Sequence, residues 1–102
     1  MKTPESDIPL ANAAAAISFV EARVGNPRTS HNGNARRFRS EARRCERAAS
    51  IYRGAVIVLL PRTDAAGVAE RTNLAMQVQD LYDASRVLHN AANRADASAH
   101  SH

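Results

Sequence analysis

The sequence predicts an all-α fold: an antiparallel three-helix bundle, or a helical hairpin with a shorter N-terminal helix packed against it. Apolar and small residues recur at alternating intervals of three and four over three stretches, the pattern of helices that pack lengthwise on each other. Loop residues rich in Gly and Pro separate these stretches, at 25–34 and around Pro61. We expect a single helical domain over residues 1–102, with frayed ends at 1–7 and 96–102.

The first helix is predicted over residues 8–24, with Ser6 or Asp7 as its N-cap and Gly25 as its stop signal. Its predicted packing face comprises Leu10, Ala13, Ile17, Val20 and Val24. Phe19 lies off that face, so this helix is apolar on nearly all sides. The helix is therefore expected either to be sandwiched inside the fold or to offer Phe19 to a partner as an apolar contact. The alternative is that Phe19 folds onto the loop at 26–33.

The second helix is predicted to follow the 25–34 loop, with Ser30 or Asn34 as its cap, and to end near Leu60 because Pro61 disfavours a helical residue before it. Its packing face comprises Phe38, Ala42, Cys45, Ala49, Tyr52, Val56 and Leu59. Residues 55–60 contain several β-branched side chains, which leaves a strand as the alternative. We favour a helix because the packing pattern continues through them in register.

The third helix is predicted over residues 65–95, capped by Thr63 or Asp64. Its packing face comprises Leu74, Val78, Leu81, Ser85, Leu88, Ala92 and Ala95. The predicted core of the whole fold comprises Leu10, Ile17, Val20, Val24, Phe38, Cys45, Tyr52, Val56, Leu59, Leu74, Val78, Leu81 and Leu88. Because so much of the packing relies on alanine, which buries little area, we expect that a homodimer could support the fold.

The positive charge is concentrated on the second helix. Residues 25–63 contain nine Arg but only Glu41 and Glu46, whereas the flanking segments are slightly acidic. A GC-rich coding sequence could explain the preference for Arg over Lys, but it does not explain the clustering. We predict ion pairs of Glu41 with Arg37 and Arg44, and of Glu46 with Arg43, which leave most of the charge unbalanced. The predicted anion-binding residues are Arg36, Arg37, Arg39, Arg43, Arg44 and Arg47.

These patterns predict a small binding protein and not an enzyme. The first hypothesis is binding to the backbone of nucleic acid with little sequence specificity, because phosphate is the commonest partner of a basic helix. The second is a protein–protein adaptor or inhibitor that binds an acidic or nucleic-acid-handling complex through the same arginines and Phe19. The sequence has no catalytic, cofactor or metal motif, and Cys45 has the pattern of a buried apolar residue. We expect a cytoplasmic protein without a membrane span or cleaved signal.

Overall fold

The fold consists of three helices joined by two short loops. A computed structural model describes residues 8–100 and contains α1 (Ala13–Val24), α2 (His31–Leu59) and α3 (Ala65–His100). α2 and α3 pack along their length as an antiparallel hairpin, and α1 packs mainly against α3. Within the described range there is no strand, and residues 55–59 belong to α2. The predicted all-α fold with a shorter N-terminal helix is confirmed.

The N-terminal boundaries of α1 and α2 are set by side-chain caps. Asn12 has an extended backbone, and its side-chain oxygen accepts a hydrogen bond from the Ala15 amide at 2.9 Å, so α1 begins later than the predicted residue 8. The predicted caps Ser6 and Asp7 lie outside the described residues. The hydroxyl of Ser30 accepts a hydrogen bond from the Gly33 amide at 2.9 Å, so α2 begins inside the predicted loop.

α3 begins where the sequence predicted and ends later. The carboxylate of Asp64 accepts a hydrogen bond from the Gly67 amide at 3.3 Å, which caps the start of α3. The helix continues to His100 instead of ending at Ala95. Residues 96–100 were therefore wrongly assigned to a frayed tail, whereas residues 1–7 and 101–102 lie outside the part of the chain that the structure describes.

The core is narrow because alanine forms much of it. Five of the predicted core residues are buried, namely Val20, Phe38, Cys45, Leu81 and Leu88. Six more are partly buried, namely Leu10, Tyr52, Val56, Leu59, Leu74 and Val78. Buried alanines from all three helices fill the space between them: Ala16, Ala35, Ala42, Ala49, Ala84, Ala91, Ala92 and Ala95. Small side chains let the helix backbones approach closely, which offsets their small individual area.

The predicted packing face of α1 is wrong at two positions. Ile17 and Val24 are 45% and 63% exposed, whereas Ala16 is completely buried and Val20 lies beside it in the core. The helix is therefore rotated from the predicted orientation. A helix that is apolar on nearly all sides can pack through any of several faces, and the face with Ala16 allows the closest approach to the hairpin.

The loop between α2 and α3 is fixed by a side chain from α3. The guanidinium of Arg71 donates hydrogen bonds to the carbonyl oxygens of Leu59, Leu60 and Arg62, at 3.2–3.3 Å. The carbonyls of Leu59 and Leu60 lie at the C-terminal end of α2, and the carbonyl of Arg62 belongs to the loop. Leu59 also accepts a hydrogen bond from the Arg62 amide at 3.0 Å. We call this end of the hairpin, residues 51–78, the hairpin tip. The described part of the N-terminal segment lies against the base of the hairpin tip: Ile8 and Pro9 line a pocket with Tyr52 and Gln77, and the carbonyl of Leu10 contacts Cys45 Sγ at 3.3 Å.

Candidate anion-binding surface

Three of the six predicted arginines form one line on the outer side of α2. Arg36, Arg43 and Arg47 are separated by seven and four residues, which places them within about 40° of each other around the helix and about 16 Å from first to last. All three are exposed. We call these three residues the basic stripe.

Arg37 and Arg44 are held by a buried carboxylate. Glu41 is only 3% exposed, and its Oε2 atom lies 3.4 Å from Nη2 of Arg37 and 3.4 Å from Nη1 of Arg44. Both predicted ion pairs are thus present. Oε2 makes no hydrogen bond, so the contact is one of charge and not of aligned donors. One buried negative charge is shared by two arginines, which reduces what either can offer to an external anion.

Arg39 connects α2 to α3 and does not belong to the outer surface. Its Nη2 atom pairs with a carboxylate oxygen of Asp96 and lies 3.5 Å from Oδ1 of Asn93. The Arg39 guanidinium holds the pKa of Asp96 below its usual range. The sequence placed Arg39 among the anion-binding residues, but the structure shows it half-buried and paired with α3. The partner was missed because the sequence pattern ended α3 at Ala95.

Glu46 is bound by α3 and leaves Arg43 without the ion pair that the sequence predicted. Its Oε2 atom accepts a hydrogen bond from Ser85 Oγ at 2.6 Å and contacts His89 Nε2 at 2.8 Å. The Ser85 hydrogen bond is the largest cause of a lowered pKa at Glu46, the His89 contact adds to it, and the charge of Arg43 contributes least. Arg43 thus lies near a carboxylate that is already committed to another helix.

The basic stripe consequently has no salt bridge to any residue in the range 8–100. The acidic residues nearest to it in sequence are occupied: Glu41 by two other arginines, and Glu46 by α3. Three like charges along one side of a helix repel each other unless an anion lies between them. The surface is therefore electrostatically suited to bind one.

Phe19 packs against the core of the protein. Its ring meets Phe38 edge to face, with centroids 6.1 Å apart and planes at 71°. The guanidiniums of Arg23 and Arg37 lie 6.0 Å and 5.8 Å from the Phe19 centroid, which is cation–π distance. Phe19 is therefore partly buried against α2. The sequence allowed the first helix to be sandwiched inside the fold, but it did not identify Phe38 or Arg37 as neighbours of Phe19.

The cluster of Glu46, Ser85 and His89 has the residue types of a catalytic triad but not its connectivity. In a triad the histidine lies between the nucleophile and the acid, whereas here the hydroxyl and the imidazole both contact the carboxylate. We interpret it as a polar link between α2 and α3. Ser85 was the one polar residue on the predicted packing face of the third helix, and that was the signal for a partner across the interface.

Cys45 has no features of a reactive thiol. Its side chain is completely buried and contacts the Leu10 carbonyl. Burial raises the pKa of the thiol, so the nucleophilic thiolate is disfavoured. In the described residues, no group of three His, Cys, Asp or Glu side chains is arranged to hold a metal ion.

Known proteins give no guide to the fold or to the basic stripe. No family model matches the chain, and neither the curated proteins nor the solved structures include one that is significantly similar. Over residues 8–100, none of the helices combines the length and apolar character needed to cross a lipid bilayer.

Proposed function

We propose that this protein binds the phosphate backbone of nucleic acid through the basic stripe, with little sequence specificity. The observation that carries the proposal is the alignment of Arg36, Arg43 and Arg47 without a salt bridge in the described chain. Arginine is suited to phosphate because its planar guanidinium can donate two parallel hydrogen bonds. Arg37 and Arg44 flank the stripe and retain exposed side-chain fractions of 43% and 24%, so they can add weaker contacts.

Backbone contact is favoured over base recognition because the aromatic residues cannot stack on bases. Phe38 is completely buried, Phe19 packs on it, and both Tyr52 and Tyr82 are partly buried against the core. Proteins that bind single strands usually present exposed aromatic rings for this purpose. Phosphate contacts position a protein on nucleic acid but carry no sequence information.

The test is the salt dependence of binding to a duplex of about 20 base pairs. Each phosphate contact contributes about 0.9 to the slope of log K against log salt, so Arg36→Ala, Arg43→Ala and Arg47→Ala should each lower the slope by about one unit. Arg86→Ala is the matched control, because Arg86 is an equally charged, exposed residue on α3. Absence of binding at about 50 mM salt, or an equal effect of Arg86→Ala, would refute the proposal.

An acidic protein surface is the second candidate partner. The observation in its favour is Phe19, whose ring has the guanidiniums of Arg23 and Arg37 within about 6 Å of its centroid and is not fully buried. An acidic partner that contacted these two arginines would also reach the edge of an apolar ring, as expected for an adaptor or inhibitor. Polyglutamate is a suitable probe. Binding to polyglutamate that matches or exceeds binding to the duplex would favour this candidate over nucleic acid.

A further inference from the structure

The hairpin tip exposes more apolar surface than a monomer needs. Residues 55–60 of the sequence are apolar without interruption, and in a helix their side chains point in all directions. α3 covers only one side of this part of α2. Ile51 is 71% exposed, Val58 is 76% exposed and Ile57 is 61% exposed. A helix segment that is apolar on all sides is typically buried on all sides in its working assembly.

Part of this surface forms a continuous face. Ile51, Gly54, Ala55 and Val58 follow each other at intervals of three, one and three, which is the spacing of a helix packing face. We call these four residues the tip stripe. Ile57 lies about 110° away around the helix, next to Arg53 and the groove to α3, and is not part of it.

Nothing in residues 8–100 requires a glycine at position 54. A glycine inside a helix destabilises it relative to alanine. Its backbone does not have a positive φ, and a Cβ atom added to it would meet nothing within 4 Å. Neither backbone conformation nor packing within the described chain therefore requires glycine here. The remaining use of a glycine on a helix surface is to let a second backbone come close.

We propose that the tip stripe binds a second copy of this chain, with the two α2 helices crossing antiparallel at Gly54 and Ala55. A two-fold axis at that point places Ile51 of each copy against Val58 of the other, and Gly54 against Ala55. Ile51 and Val58 then pack on either side of the crossing, and Gly54 and Ala55 lie at the point where the two helices are closest. This inference is independent of the proposed binding of nucleic acid.

The charges of the hairpin tip oppose self-association only weakly. Residues 51–78 carry three arginines, Arg53, Arg62 and Arg71, against two acidic residues, Asp64 and Glu70, so the net charge is +1. Two copies can therefore approach with little repulsion, in contrast to the basic half of α2. The tip stripe has four residues, whereas a standard interface has about 20–30 residues a side, so we expect weak association that appears only at high protein concentration.

Sedimentation equilibrium of the full chain over about 1–500 µM tests the proposal. The wild-type mass should rise with concentration from 11.0 kDa towards twice that value. Val58→Glu should weaken association by at least about tenfold, because it places a charge in the apolar contact. Ile57→Glu is the matched control. It makes the same chemical change at a comparably exposed position off the tip stripe, and it should leave the wild-type association intact.

Gly54→Leu separates association from folding. Within the monomer the new side chain enters open space and improves helix propensity, so circular dichroism should show an intact helix with an unchanged or raised thermal midpoint. In the dimer the leucine side chain would occupy the space where the two helices cross. The variant should therefore not associate, and its mass should remain at the monomer value. A monomeric wild type throughout the range, a dimer that tolerates Gly54→Leu, or equal weakening by Ile57→Glu would each overturn the proposal.

Discussion

Replacing Glu41 by glutamine removes one negative charge from between Arg37 and Arg44 without changing the size of the side chain. Because the amide leaves no cavity, the effect is almost entirely electrostatic. We expect two opposite consequences. The fold should lose stability, since two arginines lose the carboxylate they share at 3.4 Å. The outer surface of α2 should gain affinity for phosphate, because the same two arginines become available to an external anion.

The size of the stability loss follows from burial. Removing one member of a fully buried ion pair costs about 3–5 kcal/mol, whereas exposed pairs contribute about 0–1 kcal/mol. The side chain of Glu41 is 5% exposed, but those of Arg37 and Arg44 are 43% and 24% exposed, so water screens both contacts. Glutamine also avoids the cost of burying a charge. Together these considerations predict a loss of about 1–2 kcal/mol in the free energy of unfolding.

Urea denaturation measures the stability change, and the salt dependence of duplex binding measures the release of the arginines. For Glu41→Gln, the slope of log K against log salt should steepen by about 1–2 units, at about 0.9 per additional phosphate contact. Glu70→Gln is the control, because it gives the same change in net charge at an exposed position of α3. If both variants gave equal slopes and equal stability, Glu41 would not restrain the arginines.

Two further predictions concern the contacts between helices. The pKa of Glu46 is lowered mainly by the Ser85 hydrogen bond. The contribution of Glu46 to the free energy of unfolding is therefore complete above about pH 4.5, and it is lost as the pH falls through the lower pKa that Glu46 has in the folded state. Glu46→Gln should flatten the acid limb of a plot of stability against pH, and an unchanged limb would contradict the assignment. Phe19→Ala should lower the free energy of unfolding by about 2 kcal/mol. This is less than the roughly 3–5 kcal/mol lost when a fully buried phenylalanine is truncated, because Phe19 is only partly buried against Phe38. A loss below about 0.5 kcal/mol in urea denaturation would show that the ring is not part of the core.

The fold class could be predicted because α2 and α3 have one clear packing face each. In α2 the regular spacing of Phe38, Cys45 and Tyr52 identified the side that meets the rest of the protein. The same argument failed for α1, where Ile17 and Ala16 lie on different faces of a helix that is apolar nearly all round. Periodicity fixes an orientation only when one side of the helix is polar.

The candidate site could be predicted in location but not in composition. Charge clustering placed six arginines on α2, and helical spacing predicted that Arg37 and Arg44 would pair with Glu41. Helical spacing could not show that Arg39 would reach Asp96, because Asp96 lies on another helix. That contact depends on how far α3 extends and on how α2 and α3 are aligned. Local spacing predicts which residues of one helix can meet, but Glu46 contacts Ser85 on α3 and forms no ion pair with Arg43. Contacts between helices require the register of the packed structure.

The preference of α1 for α3 over α2 has a consequence for how the chain folds during synthesis. α1 is made first, but the helix it mainly packs against is made last, with all of α2 in between. The hairpin can form from contacts close in sequence, whereas docking of α1 must close a loop that spans the whole of α2. As the chain grows, the apolar sides of α1 therefore stay exposed until α3 has emerged. During this interval the chain exposes the apolar surface of Ala16 and Val20, which the finished fold buries.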